Sequence, residues 1–182
     1  GIKEKNKNNE EIRRYIDMLE DDIVENLEFF KEEEEEEDES NPLAIFAASK
    51  NPEAFFERYR INLFVDNSEV KHAPVIFESN PTYYNLAGSI EYQNEMGVMK
   101  TDFTMIKPGA LHLANGGYLI LLAKDILSNP YSWKSLKRSL LDEAVTIDSR
   151  ASFAGALVSQ TIRPEPIPID VKVIIIGDYY TY

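Results

Sequence analysis

Apolar residues first recur at helical spacing. Ile12, Ile16, Leu19, Ile23, Leu27 and Phe30 lie three or four positions apart, with acids between them. That period predicts one apolar face of an α-helix. The helix runs into KEEEEEEDESNP, Lys31 to Pro42, where eight acids in a row repel one another and Asn41-Pro42 gives a stop. We therefore expect the end of a helical arm over residues 1–30, a flexible acidic joint over 31–41 and a core over 42–182. In the core, PLAIFAA predicts a short apolar helix or turn, and Asn51-Pro52 starts a helix over PEAFFERYR. INLFVDN (Ile61–Asn67) and APVIF (Ala73–Phe77) are rich in β-formers and predict strands. KPGALHLANGG predicts a short helix ended by Gly116-Gly117.

Tyr118–Ala123 (YLILLA) is apolar without alternation, which predicts a strand covered on both faces, as in the middle of a parallel sheet. VKVIIIGD (Val171–Asp178) reads as another buried strand. NPYSWKSLKRSLLDE between them predicts an amphipathic helix burying Trp133, Leu136, Leu140 and Leu141. AVTID and ALVSQTI predict a hairpin, and the prolines of RPEPIPID force an extended stretch. Buried strands alternating with helices predict an α/β domain with a largely parallel sheet.

Composition narrows the function. The chain has 182 residues, 43% of them hydrophobic, and no apolar run near the ~20 residues of a membrane span. Its opening residues lack the apolar core of a signal peptide. It has no cysteine, which excludes disulfides, thiolate catalysis and zinc–cysteine sites and fits a cytoplasmic setting. The net charge of −13 is local: residues 1–41 carry 6 Lys/Arg against 17 Asp/Glu, and the rest 13 against 15. Such an arm is a poor ligand for nucleic acid, whose affinity term needs cations.

Chemistry in open α/β sheets gathers at the strands' carboxyl ends. One strand ends in Leu122-Ala123 and another in Gly177-Asp178. Asp178 is a candidate for orienting water or phosphate, against the plainer reading of a turn acid or helix cap. No G-x-x-x-x-G-K-[ST] cradle exists among the eight glycines. His72 and His112 have no partner at metal-ligand spacing, and His112 reads as a helix histidine bonded to backbone. No G-x-S-x-G elbow appears. EMGVM (Glu95–Met99) places soft, flexible side chains around Gly97 in an expected loop, either gripping peptides or folding onto the core.

Four stretches, in order, carry a resemblance: VDNSEVKHAPVIFESNPTYYNLAGSIEY, TDFTMIKPGALHLANGGYLIL, NPYSWKSLKRSL and EPIPIDVKVIIIGD. Together they resemble the AAA+-like domain of bacterial Lon-type ATP-dependent serine proteases, within the Lon-like subfamily that carries a long helical insert. The likeness covers most of Tyr15 to Tyr180. It implies a partial P-loop NTPase-type parallel sheet with a pre-sensor-1 hairpin in Val145–Pro168 and an N-terminal helical arm. It makes Tyr118–Leu121 the Walker B strand, Ile61–Val65 the adjacent second strand and Val171–Ile176 the sensor-1 strand, with Asp178 near the sensor position. Met96, Gly97, Val98 and Met99 would sit in the helix-2 insert that faces a ring's pore and touches substrate. Leu122 and Ala123 stand where the subfamily has an acid and true ATPases have their glutamate. The expectation is a non-catalytic substrate-threading or gating module for unfolded proteins, within a homo-oligomeric ring. ATP and magnesium belong to the family but are not expected on this chain, which lacks the phosphate loop, the lid and the Ser–Lys protease domain. No membrane partner is expected. The alternatives are a non-enzymatic ring-forming scaffold or interaction module and, less in keeping with the neutral core, a nucleic-acid motor.

Overall fold

In the computed structural model, which describes residues 2–30, 55–95, 98–148 and 162–179, the chain forms two units, Gly1–Arg60 and Ile61–Tyr182. The acidic joint of 31–41 and the PLAIFAA segment lie outside the described residues.

In the first unit, α1 (Ile2–Lys5) precedes α2 (Glu10–Glu25). Asn9 caps α2, its side-chain oxygen accepting the Ile12 N–H at 3.0 Å, which satisfies one of the free amides of the first turn. Lys3 Nζ bridges Asp17 and Glu20 at 2.7 and 2.6 Å. A 3-10 turn, Leu27–Phe30, follows, and the described part of PEAFFERYR ends in another, Glu57–Tyr59. Phe29, Phe30, Phe55, Phe56 and Tyr59 form a ring cluster, with Phe29 and Phe55 stacked at 4.1 Å. No residue of α2 is fully buried, and its apolar stripe is only partly covered among the described residues, with Ile16, Leu19 and Ile23 half-buried.

The second unit is built on a three-stranded parallel sheet. Its elements run β1 (Val75–Glu78), α3 (Tyr83–Ala87), β2 (Ser89–Ile90), β3 (Gln93–Glu95), β4 (Val98–Lys100), β5 (Ile106–Lys107), α4 (Ala110–Leu113), β6 (Tyr118–Leu122), α5 (Ala123–Leu127), α6 (Pro130–Leu141), β7 (Ala144–Val145), β8 (Ile167–Pro168) and β9 (Lys172–Ile176). The sheet order is β1-β6-β9, which puts the apolar YLILL run in the middle, as its texture predicts. Tyr118 pairs with Val75 on one side and Lys172 on the other. Two-stranded antiparallel pairs join β2 to β5, β3 to β4 and β7 to β8.

Gly116 and Gly117 set the entry to β6. Gly116 has φ +77, a left-handed turn that ends the α4 segment without a Cβ penalty, and its N–H donates to the Asp170 carbonyl at 2.7 Å. Gly117 is needed for space rather than for torsion. Any Cβ there would overlap the Pro74 carbonyl oxygen, the same oxygen that accepts the Tyr118 N–H at 2.8 Å. The pair thus turns the chain and lets it approach the backbone leading into β1.

The core lies on one face of the sheet. Leu119 and Leu121 are fully buried against Leu86, Leu111, Ile126, Leu136 and Val145. Each such side chain removed from water contributes roughly 1.5–3 kcal/mol.

Three expectations are corrected. Ile61–Val65 is not a strand, and β1 occupies the place beside β6 instead. The Ile61 segment is held differently: the Asn62 amide donates to the carbonyls of Phe103 and Ile106, and Ile61 and Leu63 face water. Second, YLILL and VKVIII are not covered on both faces among the described residues. Val75, Phe77, Tyr118, Ile174 and Ile176 are exposed, because the α3–α6 helices and loops pack on the Leu119/Leu121 side. Third, α6 buries Ser132, Leu136 and Ser139, with Trp133 partly covered, whereas Leu140 and Leu141 are exposed. Small hydroxyl side chains let that helix lie close to its neighbours, and the leucines fall on the next face round. The start of AVTID, β7, pairs with Ile167–Pro168, inside the proline-rich stretch. Most of ALVSQTI, the partner expected from sequence, lies outside the described residues.

Candidate functional site

β1, β6 and β9 run parallel, so their carboxyl ends share one edge. The register sets Glu78 beside Leu121 and Leu122 beside Ile176, with Gly177 and Asp178 just beyond. This edge is where a ligand of an open α/β sheet would lie.

Leu122 is the last residue of β6 and the extended N-cap of α5, at φ −85 and ψ 129. Its hydrocarbon side chain makes no cap bond to the helix amides that follow. Ala123 is buried at the first position of α5. Neither side chain carries an oxygen, so neither can ligate a hard cation or take a proton from water. Among the described residues no group of three His, Cys, Asp or Glu side chains could hold a metal ion. Leu122 and Ala123 thus offer magnesium no ligand.

The acids nearby have other settings. Asp178 is exposed, two residues past β9. Asp125 lies half-buried in the first turn of α5. Glu78 closes β1, and its Oε1 accepts the Asn80 N–H at 2.7 Å, which fixes the following turn. Glu78 carries only a weak sequence signal, an acid terminating VIFE, and its place at this edge follows from β1 rather than Ile61–Val65 lying beside β6.

The EMGVM stretch is not simply a loop. Val98 and Met99 belong to β4, which pairs with β3 through Glu95↔Val98 and Asn94↔Met99. Met96 and Gly97, which connect the two strands, lie outside the described residues. The β3–β4 pair forms its own two-stranded sheet, separate from the sheet that ends in Leu122 and Ile176.

His112 has a structural setting. It is 3% exposed on α4, and its Nδ1 accepts the Gly109 N–H at 3.2 Å. The ring meets Phe64 edge-on at 4.9 Å, and Nε2 is buried without a hydrogen-bond partner. Desolvation lowers its pKa to about 4. The ring is therefore neutral at pH 7 and holds the turn before β6 through Gly109.

No helix of the described residues is long and apolar enough to cross a membrane. Residues 71–182 match the family described as LonB-like, AAA domain, a span that includes β1, the β3–β4 pair, the GALHLANGG turn, β6, α6 and β9. No curated protein matches the chain at a significant level.

Proposed function

Because the chain belongs to the LonB-like AAA domain family, we propose that its ATPase-type module recognises unfolded protein and threads or gates it toward a separate Ser–Lys protease domain, without being catalytic itself. The observation that carries this reading is the β3–β4 hairpin, which brings Val98 and Met99 onto a paired strand beside the connection at 96 and 97. Flexible thioether and branched apolar side chains suit a contact that must accept many sequences. The reading includes a homo-oligomeric ring in a cytoplasmic setting.

The chemistry of the strand end sets the division of labour. With Leu122 and Ala123 offering no oxygen, this chain's residues supply neither a magnesium ligand nor a water-activating base at that point. Asp178, at the sensor-like position, is left to orient a group held by other means.

Capture of a fluorescein-labelled, permanently unfolded protein tests the proposal. Met96→Ser with Met99→Ser should weaken capture at least tenfold while circular dichroism and sedimentation stay unchanged. Unaltered capture with lost assembly would instead establish the scaffold reading, which Leu122 and Ala123 favour. Calorimetry with Mg-ATP should show no micromolar binding to this chain. Peptide-bond hydrolysis by the chain alone would overturn the non-catalytic assignment.

A further inference from the structure

A cleft of about 300 Å³ opens between α6 and the extended chain leaving β7, with Tyr83 of α3 at one end. α6 supplies Lys134, Ser135 and Arg138, and contains no acid from Pro130 to Leu141. Lys134 and Arg138 are four residues apart, so both cationic side chains leave the same side of the helix. The opposite wall presents Ala144, Thr146 and Asp148. Their neighbours Val145 and Ile147 are buried, so strand alternation delivers the polar side chains to the cleft.

The two acids at the cleft are already engaged. Asp148 Oδ2 accepts the Tyr83 hydroxyl at 2.6 Å, and burial together with this bond pushes the phenol pKa well above its ordinary range. Asp142 Oδ2 accepts from Arg138 Nε at 3.3 Å, but both side chains are largely exposed, and such pairs are weak. Lys134 has no carboxylate partner among the described residues. The wall is completed by the hydroxyls of Ser135, Ser139 and Thr146, and by Tyr131, whose ring lies 5.0 Å from that of Tyr83.

We propose that this cleft binds a compact oxyanion, phosphate or carboxylate, with Lys134 and Arg138 as its cations and the Ser135 and Thr146 hydroxyls as neutral donors. Charge-assisted hydrogen bonds to an oxyanion are the strong ones; α6 supplies both cations and the Ser135 hydroxyl, and the facing wall supplies Thr146. Asp142 acts as a competitor that holds Arg138 until the ligand displaces it. The oxyanion has two sources, a free phosphate or the acidic side chain of a polypeptide.

Amide NMR titration of the whole 182-residue chain distinguishes them. Inorganic phosphate and a short Asp/Glu peptide are added separately, with sodium chloride at matched ionic strength as the reference. Saturable shifts centred on Ser135 and Thr146 are expected with at least one probe, and the one that saturates identifies the source. Lys134→Ala should weaken binding about tenfold or more, whereas Asp142→Asn should tighten it severalfold by freeing Arg138. Both substitutions lie at exposed positions, and unchanged thermal unfolding will show that the fold persists. No saturable shift with either probe, or equal shifts in the Lys134→Ala chain, would overturn the assignment.

Discussion

At the scale of single residues, His112 and Gly117 show how a motif-like stretch can be structural in cause. Sequence placed His112 on a helix bonded to backbone, and the Gly109 N–H bond to Nδ1 bears that out. Its protonation has a definite sign. The folded pKa, about 4, lies below the ordinary 6.5, so the unfolded chain binds more protons between those values. The stability from the neutral ring is complete above pH 6.5 and is lost as pH falls toward 4, by up to roughly 3 kcal/mol. Denaturant melts across that window should slope downward toward acid, and His112→Gln, which keeps an acceptor but cannot titrate, should flatten the slope. The two glycines should separate as well. Gly116→Ala meets no atom within 4 Å and bears only the left-handed backbone penalty, about 1 kcal/mol. Gly117→Ala must push Pro74 away and should cost several times more by the same melts. Leu122 was legible as an apolar residue where an acid is expected; Glu78 was not, because its relevance depends on which strand lies next to β6.

At the scale of elements, the legible parts were those whose signal is local. YLILL announced the central strand, and Asn129-Pro130 announced α6, where the Asn129 side chain accepts the Ser132 N–H at 3.2 Å. The short helix before Gly116 was legible for the same reason. The misread elements were decided by tertiary contacts. INLFV and APVIF both look like strands; the close passage of Gly117 over Pro74 selects the second as the partner of β6. On α6, the sequence pattern favoured buried leucines because serine on a helix looks like a solvent-facing residue, yet Ser132 and Ser139 lie in the packed face. Truncation should expose the difference. Leu136→Ala, on the same helix, removes a buried side chain and should cost about 2–5 kcal/mol. Leu141→Ala, at 83% exposed, should stay within about 0.5 kcal/mol. Comparable losses in the two variants would contradict the observed orientation of α6.

At the scale of the whole molecule, the sheet presents one packed face and one open one among the described residues. Val75, Phe77, Tyr118, Ile174 and Ile176 form the open face, and β9 is an edge strand whose side chains are apolar from Val173 to Ile176. Edges of that kind pair with other chains unless a charge interrupts them. Ile174→Lys should lower light scattering at equal protein concentration without lowering the melting temperature by more than about 4 °C. Scattering that is unchanged would mean that the open face does not drive association. The family and the α/β architecture were legible at this scale from the order of the four motif stretches. The one-sided covering of the sheet was not, because an apolar strand reads the same in sequence whether or not anything lies over it.

The parallel register also governs time. Val75 finds its partner in Tyr118, and Tyr118 in Lys172, so no strand of this sheet can be closed by a hairpin turn. Such long-range pairings bear the entropy of loop closure before any contact repays it, which slows folding relative to the local helices and the β3–β4 pair. A chain emerging from synthesis can pair YLILL with β1 at once, but its other edge stays open until VKVIII has been made. The Gly116–Asp170 bond, which joins the approach to β6 with the approach to β9, is placed to act as the latch that ends this interval.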